Sequence, residues 1–317
     1  MNSADTTTLP LPSRPWRWLP SRVDGRVRVI AWLSFALQVA LIGTGGAVRL
    51  TASGLGCPTW PSCTADSFVN TPEMGVHGII EFTNRMLTFV LAVVVILAFL
   101  FVIRYRKTRP DLFRLTLVQG LSIPFQAVLG GITVLTGLNP YVVGAHFAVS
   151  VVLVVVTTVL VWRVYRGRAG TRLTVPHWYV GVARVAAVFV ALTVTMGILT
   201  TGSGPHAGDN SNPAKPAPRT GFDPEFIQHV HSWPAYATLA LTLGLVIAAF
   251  IVATVRVRRY AVALLAVEVV QIVVGISQAR LGLPEILVGI HMVLAGLLVA
   301  GITAVLLSTR EDSPAAV

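Results

Sequence analysis

The chain has 317 residues, of which 54% are hydrophobic and only 12% are charged, and its formal net charge is +11. An ordinary soluble domain has about 25% charged residues, so this composition excludes a typical water-soluble fold. The basic residues concentrate in alternate connections between the apolar segments, as in membrane proteins, and we therefore expect no nucleic-acid partner.

Eight apolar segments are each long enough to cross a bilayer, which takes about 20 mostly apolar residues. In chain order they are 29–48, 79–103, 115–136, 142–162, 179–200, 229–254, 260–280 and 286–307. We predict an all-α integral membrane protein with eight transmembrane helices. Residues 1–25, rich in Pro, Thr and Ser, and residues 311–317 are predicted to be cytoplasmic tails, the first of them disordered.

Arginine and lysine concentrate in alternate connections between these segments. Basic clusters precede the first span and lie between spans two and three, four and five, and six and seven, and they hold most of the 24 basic residues. Such an excess marks the cytoplasmic side of a membrane protein. We predict a multi-pass protein of the plasma membrane with both termini in the cytoplasm.

The second half of the sequence repeats features of the first half at a spacing of 145 residues. The matching pairs are Gln126 and Gln271, Gly130 and Gly275, Gly137 and Gly282, Leu138 and Leu283, and His146 and His291. Because four helices separate each pair, the halves should share one orientation and be related by a pseudo-twofold axis along the membrane normal. We predict two four-helix bundles, over residues 26–165 and 166–310.

Ionisable side chains are costly inside a membrane, and they face a bundle interior or a cavity when they occur. Several in or beside the spans lie toward the predicted outer side: His77, Glu81, Arg85, His146, His229, His231, Arg280 and His291. Imidazoles on facing helices commonly hold haem iron, so His231 and His291 predict a bis-histidine haem site. A lone intramembrane histidine can instead bond a backbone carbonyl, but the repetition of His146 as His291 favours haem.

The N-terminal half departs from this symmetry. A spacing of 147 residues pairs Asn84 with His231, so one histidine is missing there. His77 and Glu81 are four residues apart and share a helix face with Asn84. A carboxylate at Glu81 suits proton transfer or stabilisation of a cationic intermediate. The alternative for Glu81 is a salt bridge with Arg85.

Two outer loops are predicted to cover the bundle mouth. The first contains Cys57 and Cys63, which are too few ligands for a metal site and favour a disulfide over two free thiols. The second runs from Thr201 to Pro224. Three arginines near the outer ends of spans could pair with haem propionates or extend to the interface: Arg49, Arg85 and Arg280.

Three stretches of the chain together resemble the haem A synthase family. They are Arg49–Cys63, Ile80–Arg85 and Gly202–Asp209, accompanied by histidines in spans four, six and eight. The likeness extends from the first span to the eighth, and the cysteine loop is its most specific part. The resemblance implies an oxidoreductase that converts the C8 methyl of haem O into the formyl group of haem A, the form used by haem-copper oxidases.

The resemblance also implies roles for individual residues. It implies haem b as cofactor between His231 and His291, a catalytic Glu81, and His146 facing the substrate haem O. It further implies that the cysteines of the first outer loop form a disulfide. The predicted topology, in turn, places the sites toward the extracytoplasmic side.

One departure from the family concerns the substrate side. Many members have Glu-x-x-His-Arg where this chain has Glu81-Phe-Thr-Asn84-Arg85, and we predict that His77 or Asn84 takes the missing position beside Arg85. A non-catalytic di-haem transmembrane electron carrier is the alternative function. The lipid bilayer and haem O are the expected partners, while a haem O synthase, an electron acceptor and a homo-oligomer stay open, as do roles for His206 and His229.

Overall fold

The computed structural model describes residues 18–209 and 216–312, and eight long helices make up most of this part. They are α1 (Gly25–Leu50), α2 (Gly75–Ile103), α3 (Pro110–Leu135), α4 (Pro140–Arg166), α5 (His177–Ser203), α6 (Pro224–Val252), α7 (Val255–Arg280) and α8 (Glu285–Ser308). Each is long and apolar enough to cross a membrane. The predicted all-α membrane class with eight spans is confirmed.

Short polar residues set where several of these helices begin. Asn139 accepts hydrogen bonds from the first amides of α4, and Asp24, Asp223 and Thr254 cap α1, α6 and α7 in the same way. Proline, whose missing N–H costs nothing in the first turn, opens α3, α4 and α6. With the Thr254 cap, α7 begins at Val255 rather than at 260, and α2, which has no such cap, begins at Gly75 rather than at 79.

Within each half, every helix packs against two others. In the N-terminal half α1 and α3 both contact α2 and α4, and in the C-terminal half α5 and α7 both contact α6 and α8. The halves meet through α4 and α8, with further contacts of α1 with α8 and of α4 with α5. The pseudo-twofold relation between the halves stays a prediction, as does their division at residues 165 and 166.

The turns that follow α3 and α7 have the same backbone conformation. Leu138 and Leu283 both have a φ of 62°, which is uncommon for a residue with a side chain. The Leu138 amide donates to the Thr133 carbonyl and the Leu283 amide to the Gln278 carbonyl, both at 2.8 Å. The sequence repeat at 145 residues is therefore also a structural repeat at these turns.

The two ends of the helices differ in chemistry. We call the end with connections 51–74, 136–139, 204–223 and 281–284 the cysteine end, and the opposite end the arginine end. At the arginine end, strand β1 (Ala169–Leu173) pairs antiparallel with β2 (Arg310–Asp312). Arg256 forms an ion pair with Asp312 there and donates to the Arg310 carbonyl at 2.7 Å. These contacts attach the segment after α8 to the beginning of α7.

Two connections at the cysteine end are joined to each other. The Gly54 amide donates to the Gly208 carbonyl at 2.8 Å, and Ser53 and Asp209 form an isolated β-bridge. Both glycines lie against the Leu138 side chain, where a Cβ at Gly54 would approach Cδ1 to 2.8 Å. These contacts join the described parts of the two connections into one cover at the cysteine end of the bundle.

Gly131 of α3 provides the contact between this cover and the N-terminal half. The indole of Trp60 lies so close that a Cβ at Gly131 would be 2.4 Å from the ring. Gly120, on the same helix, has nothing within 4 Å of such a Cβ. Only the first of these two glycines is thus needed for the loop to dock.

We predict that Gly131→Ala displaces Trp60 and exposes the loop at 51–71, because neither the indole nor the helix backbone can yield without a shift of the loop. The measurement is the rate of protease cleavage in that loop in detergent, which should rise several-fold. Gly120→Ala is the matched control and should cleave at the parent rate with equal or higher stability, since alanine favours helix by about 1 kcal/mol over glycine. Equal cleavage of both variants would contradict the docking.

Candidate functional site

Three histidines pack against glycines of a neighbouring helix near the cysteine end. The pairs are His146 on Gly130 of α3, His231 on Gly197 of α5, and His291 on Gly275 of α7. A Cβ at Gly197 or Gly275 would come within 3.0 Å of the imidazole Cε1, and one at Gly130 within 3.3 Å. Glycine at these positions therefore leaves the space that each ring occupies, and any side chain there would press against the ring.

His231 and His291 face each other from α6 and α8. Their ring centroids are 6.3 Å apart, with the ring planes at 78°. A metal–imidazole bond is about 2 Å long, so two such bonds in line, with half a ring on either side, span roughly 6 Å. The distance between the rings thus matches one metal atom held between two histidines.

A second contact orients the His231 ring. Its Nδ1 lies 3.0 Å from the carbonyl oxygen of Thr193 on α5. With Nδ1 donating to that carbonyl, the lone pair of Nε2 is available to a metal, and such a carbonyl partner is typical of metal-binding histidines. A hydrogen bond of this kind is expected for a purely structural histidine. It also leaves Nε2 of His231 able to bind a metal.

Glutamines at matching repeat positions contact the two histidines on even-numbered helices. Gln271 Nε2 donates to the His291 carbonyl at 3.2 Å and lies 3.3 Å from His291 Nε2. Gln126 Nε2 donates to the His146 carbonyl at 3.3 Å and to Ser150 Oγ at 2.8 Å. In the described part of the chain, Nδ1 of both His146 and His291 is buried without a hydrogen-bond partner. Buried nitrogens without a partner are uncommon in proteins, so these two rings are not fully accounted for by contacts within the chain.

The N-terminal half contains asparagine at the position that matches His231. Asn84 Oδ1 accepts a 2.7 Å hydrogen bond from Thr44 Oγ1 of α1. His77 is exposed, and its Nδ1 lies 3.0 Å from Ser53 Oγ in the cover. His77 lies seven residues before Asn84, about 10 Å along α2. The two residues therefore occupy different depths, with His77 closer to the loop.

Glu81 lies in a charged contact that organises the disulfide loop. It is only 5% exposed, and Arg85 forms an ion pair with it at 2.5 Å. The Cys57 amide donates to the other carboxylate oxygen at 2.6 Å. Arg85 also donates to three loop carbonyls at 3.1–3.3 Å, those of Cys57, Thr59 and Ser62. The salt bridge considered for Glu81 is thus present, and it fastens the loop to α2.

Cys57 and Cys63 form the predicted disulfide, and both are fully buried. Since Glu81 binds the amide of Cys57 and Arg85 binds its carbonyl, the bridge is held at its first residue by the ion pair. The loop that carries the disulfide is therefore positioned by helix α2 as well as by Trp60.

The remaining arginines and histidines of this end have different surroundings. Arg49 is largely buried and donates to the carbonyls of His206 and Thr201 at 2.8 and 2.9 Å, so it joins α1 to the second outer loop. Arg280 is exposed at the end of α7. His229 is exposed too, and its Nδ1 lies 2.8 Å from the Glu225 carbonyl.

Several residues of this arrangement were not expected as site residues. Thr193 and the three glycines act through helix-to-helix contacts that the sequence does not show. Gln126 and Gln271 appeared in the repeat, and a polar residue at a repeated position inside an apolar span is a signal that could have marked them. Glu268, a buried acid in α7, is not repeated, and the signal for it in the sequence is an acid inside an apolar span.

We predict that Arg85→Gln makes the disulfide at least tenfold faster to reduce, because the loop loses charge-assisted hydrogen bonds of roughly 1.5–3 kcal/mol each. The rate is followed by alkylation of the released thiols after addition of a reductant to detergent-purified protein. Arg280→Gln removes an exposed arginine at the same end and should leave the rate unchanged. A rate for Arg85→Gln equal to that of this control would contradict the role of the ion pair.

Comparison with known proteins agrees with the resemblance of the sequence motifs. The family model described as cytochrome oxidase assembly protein (COX15-CtaA) matches residues 28–303, which covers all eight helices except their outermost turns.

Curated relatives are similar over shorter stretches. A protein of Bacillus pumilus named heme A synthase is 32% identical over 175 residues, 54% of this chain and 55% of the relative. Heme A synthases of Listeria welshimeri and Geobacillus thermodenitrificans are 28% and 26% identical over 127 and 125 residues, which are 40% and 39% of this chain and 41% and 38% of those proteins. The matched stretch therefore spans about half the length of these relatives, or less. With a family match across nearly its whole membrane region, the chain belongs to the COX15-CtaA family of cytochrome oxidase assembly proteins.

Proposed function

We propose that this protein is a haem A synthase, an oxidoreductase that converts the C8 methyl of haem O into the formyl group of haem A. The observation that carries the proposal is the facing pair of His231 and His291, whose ring centroids are 6.3 Å apart. Family membership and the names of the relatives support the same function. The alternative of a non-catalytic di-haem carrier is not favoured, because it requires a second symmetric histidine pair and Asn84 stands in that position.

Haem b is the cofactor that fits the C-terminal half. His231 and His291 would hold its iron, with the Thr193 carbonyl orienting the first ring and Gly275 leaving room for the second. When bound, haem b supplies one-electron redox chemistry. Gln271 Nε2 lies 3.3 Å from His291 Nε2. When that ring nitrogen carries no proton and no ligand, the amide of Gln271 can donate a hydrogen bond to it. This half thus offers two histidines that would hold a permanently bound haem.

The N-terminal half is the proposed site of the substrate, haem O. His146 is packed on Gly130 as His291 is on Gly275, so it is the histidine that would bind the substrate iron. Asn84 takes the place of the second ligand, and its side chain is bonded to Thr44. A substrate held by one histidine is free to leave after reaction, whereas a cofactor held by two is retained. This difference matches an enzyme that keeps one haem and releases the other.

Glu81 is proposed to act at the methyl group that is oxidised. Oxidation of that carbon releases protons, and a carboxylate can accept a proton or stabilise the positive charge that develops. Its contact with Arg85 holds the carboxylate in place, and its contact with the Cys57 amide fixes the cover over the substrate. Glu81 therefore combines a chemical role with a role in closing the site.

The proposed location is the plasma membrane, with both termini in the cytoplasm. The arginine end faces the cytoplasm by the positive-inside rule, and the histidines and the disulfide then lie toward the extracytoplasmic side, where a disulfide persists. The division of labour follows the halves, with residues 26–165 for haem O and 166–310 for haem b. A haem O synthase and an electron acceptor are proposed as further partners.

We predict that His231→Ala and His291→Ala each remove the low-spin bis-histidine spectrum of haem b from purified protein, because one imidazole cannot replace two axial ligands. The optical spectrum and the extracted haem content measure this loss. His229→Ala removes an exposed histidine of the same helix and should keep the spectrum. Retention of full pigment and product in a His231→Ala, His291→Ala double variant would overturn the cofactor site.

We predict that His146→Ala reduces the conversion of haem O to haem A at least tenfold while the haem b spectrum remains, because its ligand role concerns the substrate alone. Conversion is measured by chromatography of haems extracted from membranes that also contain haem O.

Glu81→Gln should lower conversion more than Arg85→Gln does, since both residues support the loop but only Glu81 is proposed to act at the methyl group. Equal losses would assign Glu81 to the cover alone, and unchanged haem A in Glu81→Gln would exclude any catalytic role.

A further inference from the structure

Glu268 is an acid buried near the middle of α7 (Val255–Arg280). It is only 3% exposed, and neither carboxylate oxygen has a hydrogen-bond partner in the described part of the chain. A charge near the middle of a bilayer is costly, so ionisable residues persist there mainly where they have a function. The proposed function given above does not use this residue.

Glu268 faces the same interior as the histidine pair. The buried residues of α7 recur every three or four positions and end with Leu264 and Glu268. The same stripe continues to Gln271, which contacts His291, and to Gly275, on which the His291 ring packs. Seven residues separate Glu268 from Gly275, about 10 Å along the helix. The carboxyl group thus lies below the histidine pair, toward the arginine end.

Helix α6 provides a matching polar stripe. Thr242 is fully buried and lies beside Glu268, and its hydroxyl, like the carboxylate, has no hydrogen-bond partner in the described residues. One turn closer to the cysteine end, Thr238 Oγ1 lies 3.5 Å from Thr193 Oγ1. The carbonyl of Thr193 in turn contacts His231. Polar side chains therefore extend from the histidine pair to Glu268 through an otherwise apolar bundle.

The repeat shows that this polar pair is specific to the C-terminal half. At the spacing of 145 residues Glu268 matches Ile123, and at the spacing of 147 residues Thr242 matches Val95. The fold thus needs only apolar residues at these positions. Acid and hydroxyl occur in the half that has two facing histidines and are absent from the half that has one.

Few charged groups can influence Glu268 besides the histidine pair. Helices α6 and α8, which pack against α7, contain no lysine or arginine. Their titratable residues that face the interior are His231 and His291, while Glu225, His229, Tyr236 and Glu285 are exposed. The arginines of α7 lie near its ends: Arg256, Arg258, Arg259 and Arg280. A change of charge at the histidine pair is therefore the main influence on the proton affinity of Glu268.

We propose that Glu268 is a proton-exchanging site coupled to haem b, an inference that rests on the proposed function. Glu268 takes up one proton from water when haem b accepts one electron, and it releases that proton when haem b is oxidised again. The electron would come from the substrate methyl group, and haem b would pass it on to the electron acceptor proposed above, so that each electron that enters also leaves. The charge added to the iron is thus balanced by one proton on the carboxylate, and the interior of the bundle keeps its net charge.

The distance sets the size of the expected coupling. Two unit charges about 10 Å apart, at an effective dielectric constant of about 20, change the proton affinity of Glu268 about tenfold. Linkage is reciprocal, so the same factor appears in the electron affinity of haem b. A tenfold change in a one-electron equilibrium corresponds to about 59 mV.

The test is a redox titration of the purified holoprotein in detergent, followed by its haem absorption bands at a series of pH values. In the parent protein the midpoint potential should fall with rising pH by about 59 mV more than in Glu268→Gln. The amide of Glu268→Gln keeps the size and hydrogen-bonding capacity of the acid but cannot exchange a proton. Glu285→Gln, which changes an exposed acid at the start of α8, should follow the parent curve.

A second measurement does not depend on a folded variant. The redox-induced infrared difference spectrum of the parent protein should contain the carbonyl stretch of a protonated carboxyl group, shifted in heavy water. Absence of that band, or superimposable potential curves for the parent and Glu268→Gln, would overturn the proton site and leave the proposed function intact. Pure protein without haem would overturn the proposed function itself, and the proton site with it.

Discussion

The candidate sites depend on the packing of a histidine ring against a glycine of the neighbouring helix. In a membrane, helices gain little from burying apolar surface against one another, and small residues that allow close approach are the main means of association. Gly130, Gly197 and Gly275 use that close approach to make room for an imidazole rather than for another helix backbone. Helix contact and ligand placement are therefore the same interaction at these positions.

The two halves share this packing but differ in the chemistry that it supports. The C-terminal half has two facing rings, a carbonyl that orients one of them, and a buried acid below them. The N-terminal half has one ring at the matching position, and Asn84 is bonded to Thr44 where the second would be. A repeated bundle can thus supply one permanent site and one exchangeable site, because single substitutions at equivalent positions change the number of ligands without changing the helices.

The cover at the cysteine end is fastened to the N-terminal half by several separate contacts. Glu81 and Arg85 hold the disulfide loop through its backbone, Trp60 docks on Gly131, and Arg49 holds the second loop through two carbonyls. Hydrocarbon offers no hydrogen bonds to the backbone of an irregular loop. An intramembrane ion pair that binds this backbone neutralises its own charges and provides the loop with hydrogen-bond partners. Closing the site and stabilising the loop consequently use the same residues.

The sequence by itself determined the class, the number of spans and the residue types of the candidate site. Length and composition set the number of membrane helices, because few structures other than helices can cross a bilayer. The repeat at 145 residues identified His146 and His291 together. The likeness to the family then assigned the cysteine pair. Each of these depends on patterns along the chain, which a sequence displays directly.

Only the tertiary structure decided which atoms meet. That Glu81 contacts both Arg85 and the Cys57 amide, that His77 contacts Ser53 at a different depth from Asn84, and that Thr193 orients His231 all depend on how helices are rotated and shifted against each other. Helix rotation and depth are set by packing between distant segments, and local sequence carries little information about them. For the same reason Glu268 reads in the sequence only as an acid in an apolar span, while its position below the histidine pair follows from the packing of α6 against α7.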